Sequence, residues 1–228
     1  MNQEGFKLAT STLANLIPWR CKGLSVDVSL SNSLPYSSKN EMPNQRGDYI
    51  KDYLYQRYLN HVFISVDCSK SQKGKVGIGL FIPSLDISLS LRLTDNLFTY
   101  TGELVAISTG IHYATENNIQ HSVIVSDCLG AVKDFELNSS AFRPFLISSL
   151  REDIQASMLD FSLVWVPSHS GLAFHDVADS LSKFSLEREV DVEIPFEIKE
   201  AESRIACIID REWKFTWNSI HRAYRSFI

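Results

Sequence analysis

Two apolar runs that each end in aspartate, VFISVD (62–67) and SVIVSD (122–127), constrain this chain more than any other feature. Short, nearly continuous apolar runs of this kind belong to central strands covered on both faces. An acid at the end of such a strand is out of place unless a cation or dense hydrogen bonding compensates for its burial. Two parallel strands that end alike bring Asp67 and Asp127 to neighbouring positions at one edge of a sheet.

The segments around these runs predict the rest of the sheet. KVGIGLFI and ISLSLRL read as two strands turned at Pro83-Ser84, the second alternating between apolar and polar residues. ELVAISTGIHYATENN reads as a helix with Glu103, Ile107, Ile111 and Ala114 on one stripe. CLGAVKDFEL is helical after SVIVSD, a further helix is expected between Pro144 and Met158, and FSLVWV is the last strand. Pro167 to Phe174 reads as a loop, and a helix from about Asp176 to Phe184 closes the unit. The order β-β-β-α-β-α-(α)-β-α predicts an α/β fold with a five-stranded mixed sheet, a meander followed by right-handed crossovers, and helices on both faces.

Outside this block the chain is less regular. Residues 1–60 read as a linker-like extension: a mixed segment with Pro18-Trp19, a Ser-, Asn- and Pro-rich stretch from Ser31 to Arg46, and a short helix from Tyr49 to Tyr58. Residues 61–187 form the expected domain. Residues 188–228 hold an acidic linker, with EREVDVE at its start, and an amphipathic helix in which Ile205, Ile208, Ile209, Trp213 and Trp217 share a face.

With 44% hydrophobic and 21% charged residues, the chain suits a globular protein with a core. Its net charge of -5 announces no global attraction for nucleic acid, so any such affinity rests on local bases, metal or another polypeptide. Cys21, Cys68, Cys128 and Cys207 are widely spaced and suggest neither a zinc knuckle nor a disulfide framework. Without the apolar run of a signal peptide or a membrane span, an intracellular location, in cytoplasm or nucleus, and no membrane partner are expected.

Glu103 lies in the first turn of its helix. An acid there is often favoured only by the helix dipole, but a dipole-only residue has no reason to share the apolar stripe. Asp179 lies within HDVADSLSK, where a lone Asp reads as a solvated helix face. Four segments taken together change that reading. VDCSK, GEL-x-AI, SDC-x-x-AV and WVPSHSGLAFHDVADSLSK resemble, in order and spacing, the motifs TDGS, AEL-x-AI, SDS-x-x-AL and WVPSH-x-GI-x-GNE-x-AD of the ribonuclease H domain. The match is nearest the versions carried by non-LTR retrotransposon polyproteins and covers about Val62 to Phe184. It implies a ribonuclease H-like sheet of order 3-2-1-4-5. It also implies four metal-binding acids at Asp67, Glu103, Asp127 and Asp179, and a loop histidine at His169. The flanks PWRCKGLSVDVSL and DREWKFTWNS are similar to the surroundings of the domain in those polyproteins, so a C-terminal fragment of such a polyprotein is expected. Cys68 stands for the usual Gly, Cys128 for Ser, Phe174-His175 for Gly-Asn and Asp176 for Glu; none removes a metal ligand.

The resemblance implies endonucleolytic hydrolysis of the RNA strand of RNA–DNA hybrids, with two Mg²⁺ ions roughly 3.5–4 Å apart and Mn²⁺ as a substitute. Asp67 would bridge both ions, Asp179 would hold the ion that activates water, and Glu103 and Asp127 the ion beside the leaving oxygen. His169 would assist proton movement or product release. Lys70, Lys73, Lys75 and Lys133 are candidate phosphate contacts, and a reverse transcriptase is a candidate partner. The oligomeric state is open. A basic protrusion is not expected, since only Arg143 and Arg151 are basic between Leu137 and Met158. KGKVGIGL lacks a phosphate-binding glycine pattern, His169 and His175 lack a cysteine to complete a zinc site, and Ser168-His169 lacks a nucleophile elbow. Proofreading-type exonucleases and integrase domains fit the motifs less well. The other reading is a catalytically silent module from a decayed retroelement that binds nucleic acid or a polymerase.

Overall fold

A computed structural model describes residues 23–33, 43–140 and 142–225. The Pro18-Trp19 segment and most of the expected linker from Ser31 to Arg46 lie outside the described residues. The strands are β1 (Leu24–Asp27), β2 (Val62–Lys70), β3 (Val76–Ile82), β4 (Ile87–Leu93), β5 (His121–Ser126) and β6 (Asp160–Trp165). The helices are α1 (Leu30–Ser33), α2 (Pro43–Arg57), α3 (Thr99–Glu116), α4 (Leu129–Leu137), α5 (Pro144–Ser157), α6 (Ala173–Ser185) and α7 (Ile198–Arg225).

Among the described residues the sheet has six strands in the order β1-β6-β5-β2-β3-β4, where five were expected. Strands β2 to β6 keep the relative order 3-2-1-4-5, and the correction lies in β1, which comes from the segment read as an extension. It pairs parallel to β6, Leu24 beside Phe161. Four residues in polar surroundings carry almost no strand signal of their own; β1 forms because the open edge of β6 supplies its hydrogen bonds. The β2-β3-β4 meander is antiparallel, and β2, β5 and β6 are parallel.

Helices cover both faces. On one, α3, α4 and α5 pack Leu104, Ile107, Phe135, Leu150 and Ile154 against Ile64, Val66 and Ile78. On the other, Ile50 and Leu54 of α2 and Phe174 of α6 meet Phe63, Val123, Val125 and Val164. Helix α6 crosses β3 at backbone contact. A Cβ on Gly79 would lie 2.0 Å from the Ala178 carbonyl oxygen, and one on Gly77 would lie 2.8 Å from that of Ser182. The glycines of KVGIGLFI are therefore a seat for a helix.

Two buried acids fasten outlying elements to this core. Glu200, near the start of α7, accepts hydrogen bonds from the Phe98 amide (2.9 Å) and Thr101 Oγ1 (2.7 Å) at the start of α3, and is ion-paired with buried Arg143. Asp27, at the end of β1, accepts from Tyr53 and Tyr58 of α2 and its flank (both 2.8 Å) and from the Ser29 amide (2.9 Å). Arg57 Nε lies 2.9 Å from the same carboxylate. Burial alone pushes the Asp27 carboxyl up, but these hydrogen bonds together hold it below its ordinary value.

A depressed folded-state value means the stabilisation is present above the ordinary Asp value of 3.8 and is lost as pH falls through the folded one. Asp27→Asn is expected to cost about 1–3 kcal/mol at neutral pH, since two phenols lose a charged acceptor and half-exposed Arg57 adds little. Urea denaturation of both proteins between neutral pH and acid should show the gap closing as the wild-type carboxylate protonates.

Candidate metal centre

Strands β2 and β5 pair in parallel through Ser65 beside Val125, and the same register continued two residues sets Asp67 beside Asp127. Asp67 is buried, and Ser182 of α6 donates to its Oδ2 at 2.6 Å. Ser182 Oγ also lies 2.8 Å from Ser69 Oγ, so the hydroxyl sits in a fixed chain between helix and strand. Asp127 is partly open, and its backbone carbonyl accepts from Trp165 Nε1 at 2.9 Å.

Glu103 points from α3 into the same place. It is buried, and its Oε2 has no hydrogen-bond partner among the described residues. Burial raises its carboxyl well above the usual range, and the charges of Asp67 and Asp127 push in the same direction. Asp67 is likewise raised, first by burial, with Asp127 and Asp179 adding to it against the Ser182 hydrogen bond and the His175 charge. Three clustered carboxyl groups, two of them buried with raised proton affinity and one carboxylate oxygen left unpaired, form a site suited to a bound cation.

His175, in the first turn of α6, supplies a nitrogen. Its ring is buried, with Nδ1 2.9 Å from Ser65 Oγ and Nε2 3.8 Å from Asp127 Oδ2. Burial lowers its proton affinity, but the hydrogen bond and charge of Asp127, helped by Asp67 and Asp176, raise it overall. One ligand atom each from Asp67, Asp127 and His175 lie within 4.8 Å of one another, a spacing that fits a single divalent ion. In the tautomer whose Nδ1–H donates to Ser65, the Nε2 lone pair would face the carboxylates, as a metal-binding imidazole requires. Sequence reading passed over His175 because it was weighed only as a departure from Gly-Asn and as an incomplete zinc ligand. The available signal was Ser65, a hydroxyl inside an apolar strand that needs a buried partner.

The other expected residues are placed differently. Asp179 is one turn before Lys183 and is held by it at 2.6 Å, with part of its carboxylate open to solvent. It bears on Asp67 through charge. His169 is exposed in the loop before α6, at a φ of 52°, and outside the Asp67–Asp127–His175 group. Lys70 and Lys75 donate to the carbonyls of Leu97 (2.7 Å) and Leu186 (2.9 Å), whereas Lys73 and Lys133 are exposed.

The departures next to the acids have packing reasons. A Cβ on Gly102 would lie 2.2 Å from Cys68 Sγ. Cys68, standing for Gly, thus occupies the space that Gly102, standing for Ala in AEL, gives up. Phe174 joins the apolar cluster under α2, its ring 6.0 Å from that of Phe63. Cys128 is pushed up to about 12, first by burial and then by Glu103, so its thiol stays protonated.

No protein-family model and no curated protein matches this chain. Among solved structures, the crystal structure of ribonuclease H1 from the halophilic archaeon Halobacterium salinarum is similar, with a TM-score of 0.47 and 16% identity. That similarity covers 56% of this chain and 98% of the other.

Two outcomes follow from the site's packing and charge. Gly102→Ala should destabilise the chain by about 1–3 kcal/mol through overpacking. Adding Cys68→Gly should recover most of that loss, as a double-mutant cycle by chemical denaturation would measure; simple additivity would refute the exchange of volume. Mn²⁺ should raise the melting temperature of the metal-free chain, and Glu103→Gln should remove most of that rise while leaving the metal-free stability within about 1 kcal/mol of wild type. Thermal melts in EDTA and in Mn²⁺ read both.

Proposed function

We propose that this chain hydrolyses the RNA strand of RNA–DNA hybrids endonucleolytically, as a metal-dependent ribonuclease of the H type. The observation that carries the reading is the buried Glu103 carboxylate, unpartnered at Oε2 and facing Asp67 and Asp127. Two divalent ions held by Asp67, Glu103, Asp127 and Asp179 would activate the attacking water and stabilise the leaving 3′-oxygen. The carboxylates bind and orient, and Ser182 fixes one oxygen of Asp67 so that the other stays free for a ligand. His169, exposed on its loop, would take part in product release. Mg²⁺ is the expected ion from an oxygen donor set, and the His175 nitrogen extends the site's tolerance to Mn²⁺. The motif resemblance supports a role in retroelement replication beside a reverse transcriptase.

A second reading has its own observation. His175 lies 3.8 Å from Asp127 and Lys183 lies 2.6 Å from Asp179, so the protein's own cations answer two of the four acids. On that reading the chain is a silent module that binds hybrid or polymerase without turnover.

Cleavage of an end-labelled RNA–DNA hybrid at low salt, with Mg²⁺ or Mn²⁺, separates them. The nuclease reading expects internal cuts in the RNA strand only, abolished by EDTA and reduced about a hundredfold or more by Asp67→Asn, the several kcal/mol that a metal-held charge supplies. A folded protein that retains hybrid but cuts it with neither metal is the silent module.

A further inference from the structure

Helix α7 is fastened by its first turn and borders a cleft along one side. Glu200 is buried against α3, and Ser203, Arg204, Cys207, Ile208 and Arg211 line the cleft that α7 shares with Lys70, Asn96 and Phe98. On the opposite side of the helix Ile198, Ile205, Ile209, Trp213, Trp217 and Ile220 form one stripe, each more than half exposed. Trp213 and Trp217 stack on each other with ring centroids 6.3 Å apart. A helix that directs its apolar face away from its own core is built to meet another surface.

We infer that this stripe is a dimerisation surface, on which two copies of the chain pair their α7 helices antiparallel. Three features select a second copy over other occupants. Four isoleucines and two tryptophans left this open present on the order of 700 Å² of apolar surface, close to the roughly 800 Å² each partner gives to a standard interface. The centre of the stripe is also self-complementary: reversed about position 211, Ile205 faces Trp217 and Ile209 faces Trp213, so there each large ring meets a branched aliphatic. Finally, residues 198–220 carry four basic and four acidic side chains, with Lys214 paired to Asp210 at 2.7 Å. That balance gives no attraction to an anionic lipid surface or a phosphate backbone. Antiparallel pairing further suits a helix fastened at its first turn, because it places the two bodies at opposite ends of a rod about 42 Å long.

The pairing does not depend on the nuclease reading. Sedimentation equilibrium of the full chain at up to tens of micromolar should show a reversible monomer–dimer equilibrium. Trp213→Glu should weaken it by roughly thirtyfold or more, the loss expected for an aromatic at the centre of an interface. Ile209→Asp should do the same, and Cys207→Asp, in the cleft on the other side of the helix, should leave it intact. Far-ultraviolet circular dichroism checks that each variant keeps its helix. A wild-type chain that stays monomeric over this range overturns the inference, as does a dimer indifferent to both stripe variants. Flotation with phosphatidylserine–phosphatidylcholine vesicles should leave the wild type unbound; retention that Trp213→Glu removes would assign the stripe to a lipid surface instead.

Discussion

The contact between two backbones, α6 and β3, governs everything the candidate site contains. Gly77 and Gly79 let the helix rest directly on the strand, where any side chain would hold it off. That approach brings Ser182 within 2.6 Å of Asp67, the residue that pairs with Gly79 across the sheet. It also inserts His175 beside Ser65 and Asp127. A shift of one methyl group at the seat would therefore move a hydroxyl and an imidazole together, because one rigid helix carries both.

Charge is the second constraint, and it opposes the first. Close packing of β2, β5 and α3 gathers Asp67, Asp127 and Glu103, and burial with their neighbours' charges raises the proton affinity of Asp67 and Glu103. The structure compensates in part, with Ser182 on Asp67 and His175 near Asp127, and leaves Glu103 Oε2 without any partner among the described residues. The exchange of volume between Cys68 and Gly102 belongs to the same economy. Gly102 on α3 and Cys68 on β2 share one volume, so the strand and helix beside the acids fit one another closely.

Much of this was legible in the chain, and the reasons differ by residue. Asp67 and Asp127 could be set side by side because a buried strand has one register with its neighbour and the two runs have equal length. Glu103 was legible from its place on an apolar stripe. Strand β1 was not, because LSVD acquires its structure from β6 and from Asp27's contacts with Tyr53 and Tyr58, none of them local. His175 was hidden for a similar reason. Its meaning depends on the rotation of α6 and on Ser65 facing it, and no sequence period records either. Lys70 and Lys75 read as candidate phosphate contacts, but their ammonium groups donate to the carbonyls of Leu97 and Leu186.

Strand β1 has a consequence for the order in which the chain is assembled. Among the described strands of the sheet it is synthesised first, yet its only neighbour among them, β6, lies 137 residues further on. Until β6 has formed on β5, residues 24–27 have nothing to pair with, and the entropy of closing so long a loop opposes any early encounter. The first strand made is thus the last to be seated, and with it the Asp27 anchor that draws α2 onto the sheet. The β2-β3-β4 meander can form before that point from contacts within 32 residues of sequence, so folding proceeds from the middle of the sheet outward and ends at its oldest edge.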